Sequence, residues 1–327
     1  MRQINRVSEF NRPAWGRGFR MPPAGLVFLL LGGLLARAGD YVYVSNPGAG
    51  TITQIDPDGN SSLFASGLDS PEGLALDDAG NLFVADSADG TISKIDSLGT
   101  VSTFASGLNG PAALAFGLGG NLYAANLGNQ TISKINSSGN ASVFATGMAF
   151  DPDGAYLAAD PAGNIYANAT HSIEKFDSSA NPSVVTSGFN LCEGMAFDGS
   201  GNLYLALQNA GSVGCFGGTG SLSTGAPDYP APYNNDLFAA AYDDTPCDLA
   251  FDASGNLYAT FSQMVYYGNS GSASVNNVLI EFGANGNNRV VAANIGGTYI
   301  AVQSVPEPGI GVLISGLAAV WCLGRRV

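Results

Sequence analysis

Residues 80–96 read GNLFVADSADGTISKID and residues 120–136 read GNLYAANLGNQTISKIN. Two closely matching phrases forty residues apart set a period, and a fixed period of that length marks a repeat architecture. The phrase glycine, asparagine, aliphatic, aromatic, or a remnant of it, occurs six times. The copies sit at Tyr41-Val42-Tyr43, Asn81-Leu82-Phe83, Asn121-Leu122-Tyr123, Asn164-Ile165-Tyr166, Asn202-Leu203-Tyr204 and Asn256-Leu257-Tyr258. From Asn81 onward they are spaced by 40, 43, 38 and 54 residues.

Each unit divides into four short runs. The unit from Gly73 reads GLALD, a turn, LFVAD, a loop, TISKID, a turn and VSTFAS, and then GLNGPA leads into the next unit. Runs of four to six residues rich in Val, Ile, Thr and aromatics, bounded by Gly, Asn and Asp, are strands joined by hairpin turns. Sheets apolar on both faces need a neighbour on each side, the condition of a propeller blade. The composition agrees, since 45 glycines and 16 prolines in 327 residues favour turns over long helices.

First strands are expected near Leu74, Leu114, Leu157, Met195, Leu249 and Ile300. The repeat region begins with a second-type strand, YVYVSN, and ends with a first-type strand, TYIAVQ. The last strand therefore completes the blade begun at the N-terminus and removes an open sheet edge. The expectation is an all-β, six-bladed β-propeller over residues 39–304, closed by N- and C-terminal strands in one blade. Two insertions, Gly217 to Asn235 and QMVYYGNSGSASVNN at 263–277, read as loops hung on the ring.

The chain ends are of a different kind. Arg2, Arg6, Arg12, Arg17 and Arg20 precede an apolar run from Ala24 to Leu35 and then Ala36-Arg37-Ala38. A charged segment, a short apolar core and an A-x-A site make a secretory signal peptide over 1–38, cut after Ala38. The apolar run is too short to span a bilayer. Met1 and Met21 both stay open as the start.

The opposite end, 305–327, reads SVPEPGIGVLISGLAAVWCLGRRV from Ser304. Val305, Pro306, Glu307 and Pro308 cannot continue a regular element. An uncharged run from Gly309 to Gly324 follows, and Arg325-Arg326 fit a positive cytoplasmic end.

This order of Pro-Glu-Pro, apolar helix and arginine pair resembles the PEP-CTERM sorting signal of Gram-negative bacteria. The resemblance implies export across the inner membrane and transient anchoring through the C-terminal helix. Recognition and cutting by an exosortase would follow, with delivery to the cell surface or an extracellular matrix in exopolysaccharide-making species.

Between the two ends only Lys94, Lys134, Lys175 and Arg289 are basic, against 24 acidic residues, a net charge of −20. Such a surface repels phosphates and argues against a nucleic-acid partner.

The recurring P-x-G-L-A-hydrophobic-D…G-N-L-Y-V-A-D pattern, clearest from Pro71 to Asp86, resembles NHL-repeat and gluconolactonase-like propellers across 40–303. The resemblance places a binding site at the channel mouth, lined by the x residue of P-x-G: Glu72, Ala112, Ala155, Glu193, Cys247 and Thr298. In gluconolactonase-like enzymes carboxylates and amides at such positions hold a divalent metal that activates water. Glu72 and Glu193 match, and Asp248 lies one residue out of register; hard oxygen ligands suit Ca²⁺ or Mg²⁺. Ala112, Ala155 and Thr298 depart from the pattern, so no cofactor is required by this reading.

DPDGN at 56–60 and DPDG at 151–154 partly resemble a calcium loop but lack its third carboxylate and distal Glu, and they read as tight turns. Asp77, Asp160, Asp198 and Asp252 recur at one hairpin position, which points to scaffold. His171 is the sole histidine, and some lyases with related propellers use histidine, but the sequence identifies no second catalytic candidate to act with it.

Cys322 lies in the tail, which leaves Cys192, Cys215 and Cys247 in a chain bound for an oxidising compartment. Cys192 and Cys247 precede first strands of adjacent blades and are the favoured disulfide pair, with Cys215–Cys247 the alternative. Lys94, Lys134 and Lys175 share one third-strand position and read as separate surface charges.

The leading functional expectation is a non-enzymatic binding or structural module. Tyr229, Tyr233, Tyr266 and Tyr267 would serve as aromatic platforms for a neutral glycan or a matrix protein. The alternative is a metal-dependent, lactonase-like hydrolase using Glu72 and Glu193.

Overall fold

The computed structural model describes residues 39–151, 154–188, 192–207, 212–216, 246–268, 271–284, 288–297 and 299–305. The described chain is all strand and turn. The first sheet holds β1 (Gly39–Asn46), β2 (Thr51–Ile55) and β3 (Ser61–Ser66). The second holds β4 (Pro71–Leu76), β5 (Leu82–Asp86), β6 (Thr91–Ile95) and β7 (Val101–Ser106). The third holds β8 (Pro111–Phe116), β9 (Leu122–Asn126), β10 (Thr131–Ile135) and β11 (Ala141–Thr146).

The fourth holds β12 (Leu157–Ala159), β13 (Ile165–Ala169), β14 (Ser172–Phe176) and β15 (Pro182–Ser187). Then come β16 (Cys192–Phe197), β17 (Leu203–Leu207) and β18 (Ser212–Phe216). The last sheet holds β19 (Pro246–Phe251), β20 (Leu257–Gly268), β21 (Gly271–Phe282) and β22 (Asn288–Ala292). The final strand, β23 (Ile300–Val305), returns to the first sheet and pairs with β1 in the order β23-β1-β2-β3.

The described residues therefore contain five complete four-stranded blades rather than the six expected. The remaining sheet, β16-β17-β18, has three described strands, and its expected fourth falls among 217–245, outside the described residues. Segments 1–38 and 306–327, with Ala38, Pro306, Glu307, Pro308, Arg325 and Arg326, are also outside them. Val305, assigned by sequence to the tail, is the last residue of β23 and pairs with Gly39. Among the described residues no helix is long and apolar enough to cross a membrane.

Strand alternation explains the stacking. Leu82 and Val84 on β5 join a cluster with Tyr43 and Ile52 of the preceding sheet, while Phe83 and Ala85 join one with Leu114 and Leu122 of the following sheet. A strand covered on both faces reads as a continuous apolar run, and β5 is buried at every residue. The outer strand β7 is mostly exposed or half-exposed, as its alternating polar sequence VSTFAS requires. The first strands pack side by side in a closed circuit, β23 on β4, β4 on β8, β8 on β12, β12 on β16, β16 on β19 and β19 on β23. Six residue pairs from Gly39↔Val305 to Val44↔Ile300 join β23 to β1, and the Tyr43 hydroxyl donates to Gln303 Oε1 at 2.8 Å.

The recurring Asp is a turn device. Asp77 Oδ1 accepts the N–H of Ala79 and of Asn81, at 3.0 and 2.8 Å, and Asp198 and Asp252 repeat this with Asn202 and Asn256. Asp56 does the same in DPDGN, accepting from the N–H of Asp58 and Asn60, so that segment is a turn. The insertion at 263–277 is not a loop: β20 and β21 continue through it as a long hairpin paired as far as Gly268↔Gly271. The β-branched and aromatic residues of QMVYY and the alternation of SASV suit a ladder better than a loop.

Candidate functional site

The six first strands converge, and how closely they approach is set at the third residue of the P-x-G motif. A Cβ on Gly73 would lie 2.6 Å from the Ala112 carbonyl oxygen, and one on Gly194 would lie 2.7 Å from Asp248 Cα. Glycine there lets neighbouring strands close up around the axis.

The side chains line a small, partly open cavity of about 70 Å³ formed by residues of all six first strands or the residue just before them, among them Gly73, Ala113, Tyr156, Met195, Asp248 and Tyr299. The position expected to face the channel does so only in part. Ala112 and Ala155 are fully buried between sheets, and Cys247 is 7% exposed. Thr298 lies outside the described residues.

The inward ring is displaced by one residue, and the cause is visible in the ladders. The register shifts between Pro71 and Leu74, Pro111 and Ala113, Cys192 and Gly194, and Pro246 and Asp248. An extra residue at a bulge exchanges the faces of the strand that follows. Asp248, which sequence placed out of register, is therefore in register with the cavity.

Two residues that sequence reasoning missed dominate the cavity. Tyr156 and Tyr299 precede β12 and β23, which are third neighbours around the circuit and so face each other across it. Their rings stack with centroids 5.9 Å apart and planes inclined by 28°. Burial raises both phenol pKa values well above the ordinary value; for Tyr299 the charges of Glu72, Asp248 and Glu193 add to this, and for Tyr156 the neighbouring Tyr299, Asp248 and Glu193. Of the three carboxylates that sequence pointed to, Asp248 lines the cavity beside this aromatic pair, whereas Glu72 and Glu193 do not line it.

Each large inward residue has a polar residue behind it on the second strand. Asn168 Oδ1 accepts the Tyr156 N–H at 2.8 Å, and its Nδ2 donates to the Gly154 carbonyl. Thr260 Oγ1 accepts the Asp248 N–H at 3.1 Å. Ser45 occupies the same register beside Tyr299, whose carbonyl accepts the Ser45 N–H at 3.1 Å. Behind Gly73, Ala113 and Gly194 the equivalent residues are Ala85, Ala125 and Ala206, all fully buried. The signal was present in the sequence as a paired departure: Tyr or Asp replaces the repeat's small residue only where Asn, Thr or Ser replaces its alanine.

Asp248 is the group most altered by its surroundings. Burial pushes its pKa up to about 7, against two hydrogen bonds that favour the anion, Ile300 N–H to Oδ2 and Leu249 N–H to Oδ1, each 2.9 Å. The first of these ties β19 to the closing strand. Glu72 is half-buried and also raised by burial, with a hydrogen bond from Ser87 opposing.

Both Asp248 oxygens already accept backbone hydrogen bonds, and among the described residues no group of three His, Cys, Asp or Glu side chains could hold a metal.

The remaining candidates are elsewhere. His171 is exposed on the turn between β13 and β14 and does not line the cavity. Cys192 and Cys247 are buried thiols, not the disulfide expected: Cys192 Sγ donates to the Gly194 carbonyl at 3.3 Å, and burial pushes its pKa to about 12.

Lys94, Lys134 and Lys175 each lie over a second-strand ring, Phe83, Tyr123 and Tyr166, at 5.3, 5.8 and 5.4 Å, and two reach carboxylates, Asp77 and Asp160. They are separate surface contacts. Tyr229 and Tyr233, the Cys215 side chain, and the side chains of Tyr266 and Tyr267 lie outside what is described.

No family model matches the chain, and no curated protein matches it. Solved structures do. Virginiamycin B lyase from Staphylococcus aureus is 13% identical, with a TM-score of 0.53 over 80% of this chain and 83% of its own. A gluconolactonase from Xanthomonas campestris is 14% identical, with a TM-score of 0.51 over 84% and 87%. A protein of unknown function from Bacteroides caccae is 16% identical, with a TM-score of 0.58 over 81% and 99%. At these identities the likeness is one of fold, a β-propeller.

Proposed function

We propose that this chain is an exported propeller that acts as a binding module through the mouth of its channel. Its PEP-CTERM-like tail would sort it, through an exosortase, to the surface or matrix of a Gram-negative cell.

The observation that carries the binding reading is the stacked Tyr156–Tyr299 pair at 5.9 Å inside a carboxylate-bearing cavity. Aromatic faces and hydroxyls are recognition groups. Asp248, poised near neutrality, lines the cavity and has both oxygens engaged by backbone N–H groups. A glycan or matrix protein could additionally meet the β20–β21 hairpin, which carries Tyr266 and Tyr267.

A second reading, a hydrolase or lyase, is favoured by that same near-neutral carboxyl in a cavity and by the folds of the lyase and lactonase neighbours.

One experiment separates them. Purified protein is assayed on a panel of sugar lactones with and without Ca²⁺, alongside Glu193→Ala. No turnover is expected above the variant's level; Ca²⁺-dependent turnover lost in Glu193→Ala would replace the binding reading by the hydrolase one.

A further inference from the structure

The triplet Asn-x-Ser or Asn-x-Thr, with x other than proline, occurs five times, at Asn60, Asn129, Asn136, Asn140 and Asn168. In an exported chain such a triplet accepts an N-linked glycan when it lies in a surface turn. The structure separates the five. Asn168 is buried, and its Nδ2 donates to the Gly154 carbonyl. Asn129 is exposed, but the Thr131 hydroxyl of its triplet is buried and donates back to Asn129 Oδ1 at 2.8 Å.

Asn60 closes a turn that opens with Asp56. Its backbone N–H donates to Asp56 Oδ1, and its Nδ2 donates to Asp56 Oδ2 at 2.9 Å. Asn81, Asn164, Asn181, Asn202 and Asn256 repeat the Nδ2 bond with Asp77, Asp160, Asp177, Asp198 and Asp252. The turn between β10 and β11, NSSGN at 136–140, has Asn136 where those turns have Asp. Its Oδ1 still accepts the N–H of Ser138 and of Asn140, each at 3.0 Å, but its other group is an amide nitrogen and cannot accept. Among the described residues neither Asn136 Nδ2 nor the Ser138 hydroxyl makes a hydrogen bond, and both residues are exposed. In the overlapping triplet of Asn140 the hydroxyl is engaged, since Ser142 Oγ donates to the Lys134 carbonyl at 3.3 Å.

We propose that Asn136 is an N-glycosylation site, modified on Nδ2 by an oligosaccharide carried on a lipid pyrophosphate. This rests on the reading of the chain as exported. The bond from Nδ2 to C1 of the sugar forms, and the bond from C1 to the pyrophosphate oxygen breaks. The pyrophosphoryl lipid leaves with the electron pair, and one Nδ2 proton passes to a base of the transferase. The two N–H groups on Asn136 Oδ1 stabilise the negative charge which that oxygen takes up as Nδ2 gives up its proton. The turn lies at the end of the blade opposite to where β8 begins, so a glycan there leaves the channel mouth open.

The test is peptide mass mapping, with electron-transfer fragmentation to place the modification, on the full chain expressed in its native host. Wild type is expected to carry sugar mass on Asn136. Asn136→Asp, which restores the Asp–Asn pair of the other turns, and Ser138→Ala are expected to lose it. Ser138→Thr and Asn60→Gln are expected to retain it, with thermal melts showing each variant folded.

A bare Asn136 in a chain that has lost residues 1–38 overturns the proposal and leaves export standing. Sugar on Asn60 or Asn140 with Asn136 bare also overturns it, because the unengaged amide and hydroxyl then do not select the site. Sugar that persists on folded Ser138→Ala overturns recognition of the triplet. A chain that keeps residues 1–38 and carries no sugar removes support from export and from the proposal together.

Discussion

Replacing Asp248 with asparagine should change how stability depends on pH. In the folded chain its carboxyl titrates at about 7, whereas the ordinary value is 3.8. The folded state therefore holds this proton more tightly than the unfolded state does. Stability is highest where the group is protonated in both states, falls as pH rises from about 4, and reaches its lower plateau once pH passes about 7.

The full displacement corresponds to about 4 kcal/mol. Water reaching the cavity screens part of this, so we expect about 2 kcal/mol between pH 5 and pH 8.5. Asparagine does not titrate. Like the protonated carboxyl, it offers one full acceptor oxygen to the two N–H groups of Leu249 and Ile300, so the two proteins should differ at pH 5 by about 1 kcal/mol or less.

Urea denaturation followed by circular dichroism, on both proteins at both pH values, isolates the effect, because the other carboxylates cancel in the difference. The variant should gain on the wild type by about 2 kcal/mol as pH rises. A difference that stays flat with pH would show that Asp248 is not held in a desolvated channel and would remove the argument built on it.

Further outcomes follow from the same packing. Ile300→Ala, at a residue only 4% exposed on the closing strand, should cost about 2–5 kcal/mol in thermal or urea unfolding, whereas Val290→Ala, on an outer strand and 37% exposed, should stay within about 0.5 kcal/mol. Gly73→Val places a Cβ against the Ala112 carbonyl and Ala113 Cα and should destabilise by about 1–3 kcal/mol in the same measurement. Alkylation of the unfolded protein without reductant, followed by peptide mass mapping, should label both Cys192 and Cys247; protection of both until reductant is added would restore the disulfide expected from sequence.

Much of the scaffold was legible in the residues. Leu82 to Asp86 reads as a strand because five consecutive residues are apolar or turn-terminating, and it is buried along its length. The Asp77–Asn81 turn announces itself because Asp bonds its own turn backbone. The hairpin β20–β21 reads as a loop because a Gly- and Ser-rich segment at its tip masks the strand-forming residues of QMVYY and the alternation of SASV on its two arms.

The site was misread by a single residue. Bulges at the start of β4, β8, β16 and β19 exchange inward and buried positions, and a propensity pattern carries no information about a one-residue shift in pairing. The expected disulfide failed for a related reason. Adjacent strands put Cys192 and Cys247 near each other in plan, but both side chains are buried, and Cys192 turns its sulfur to the Gly194 carbonyl.

What the sequence determined by itself was local: which runs extend, where they turn, and that the last strand is the missing partner of the first. These follow from alternation, turn chemistry and strand type, all properties of short windows. The contents of the cavity were decided by tertiary structure alone. Tyr156 and Tyr299 are remote in the chain and meet only because ring closure sets their strands opposite each other, and Asp248 acquires its near-neutral titration only from walls supplied by other sheets. Burial and cross-ring contact depend on where distant segments end up, and that is fixed when the circle closes.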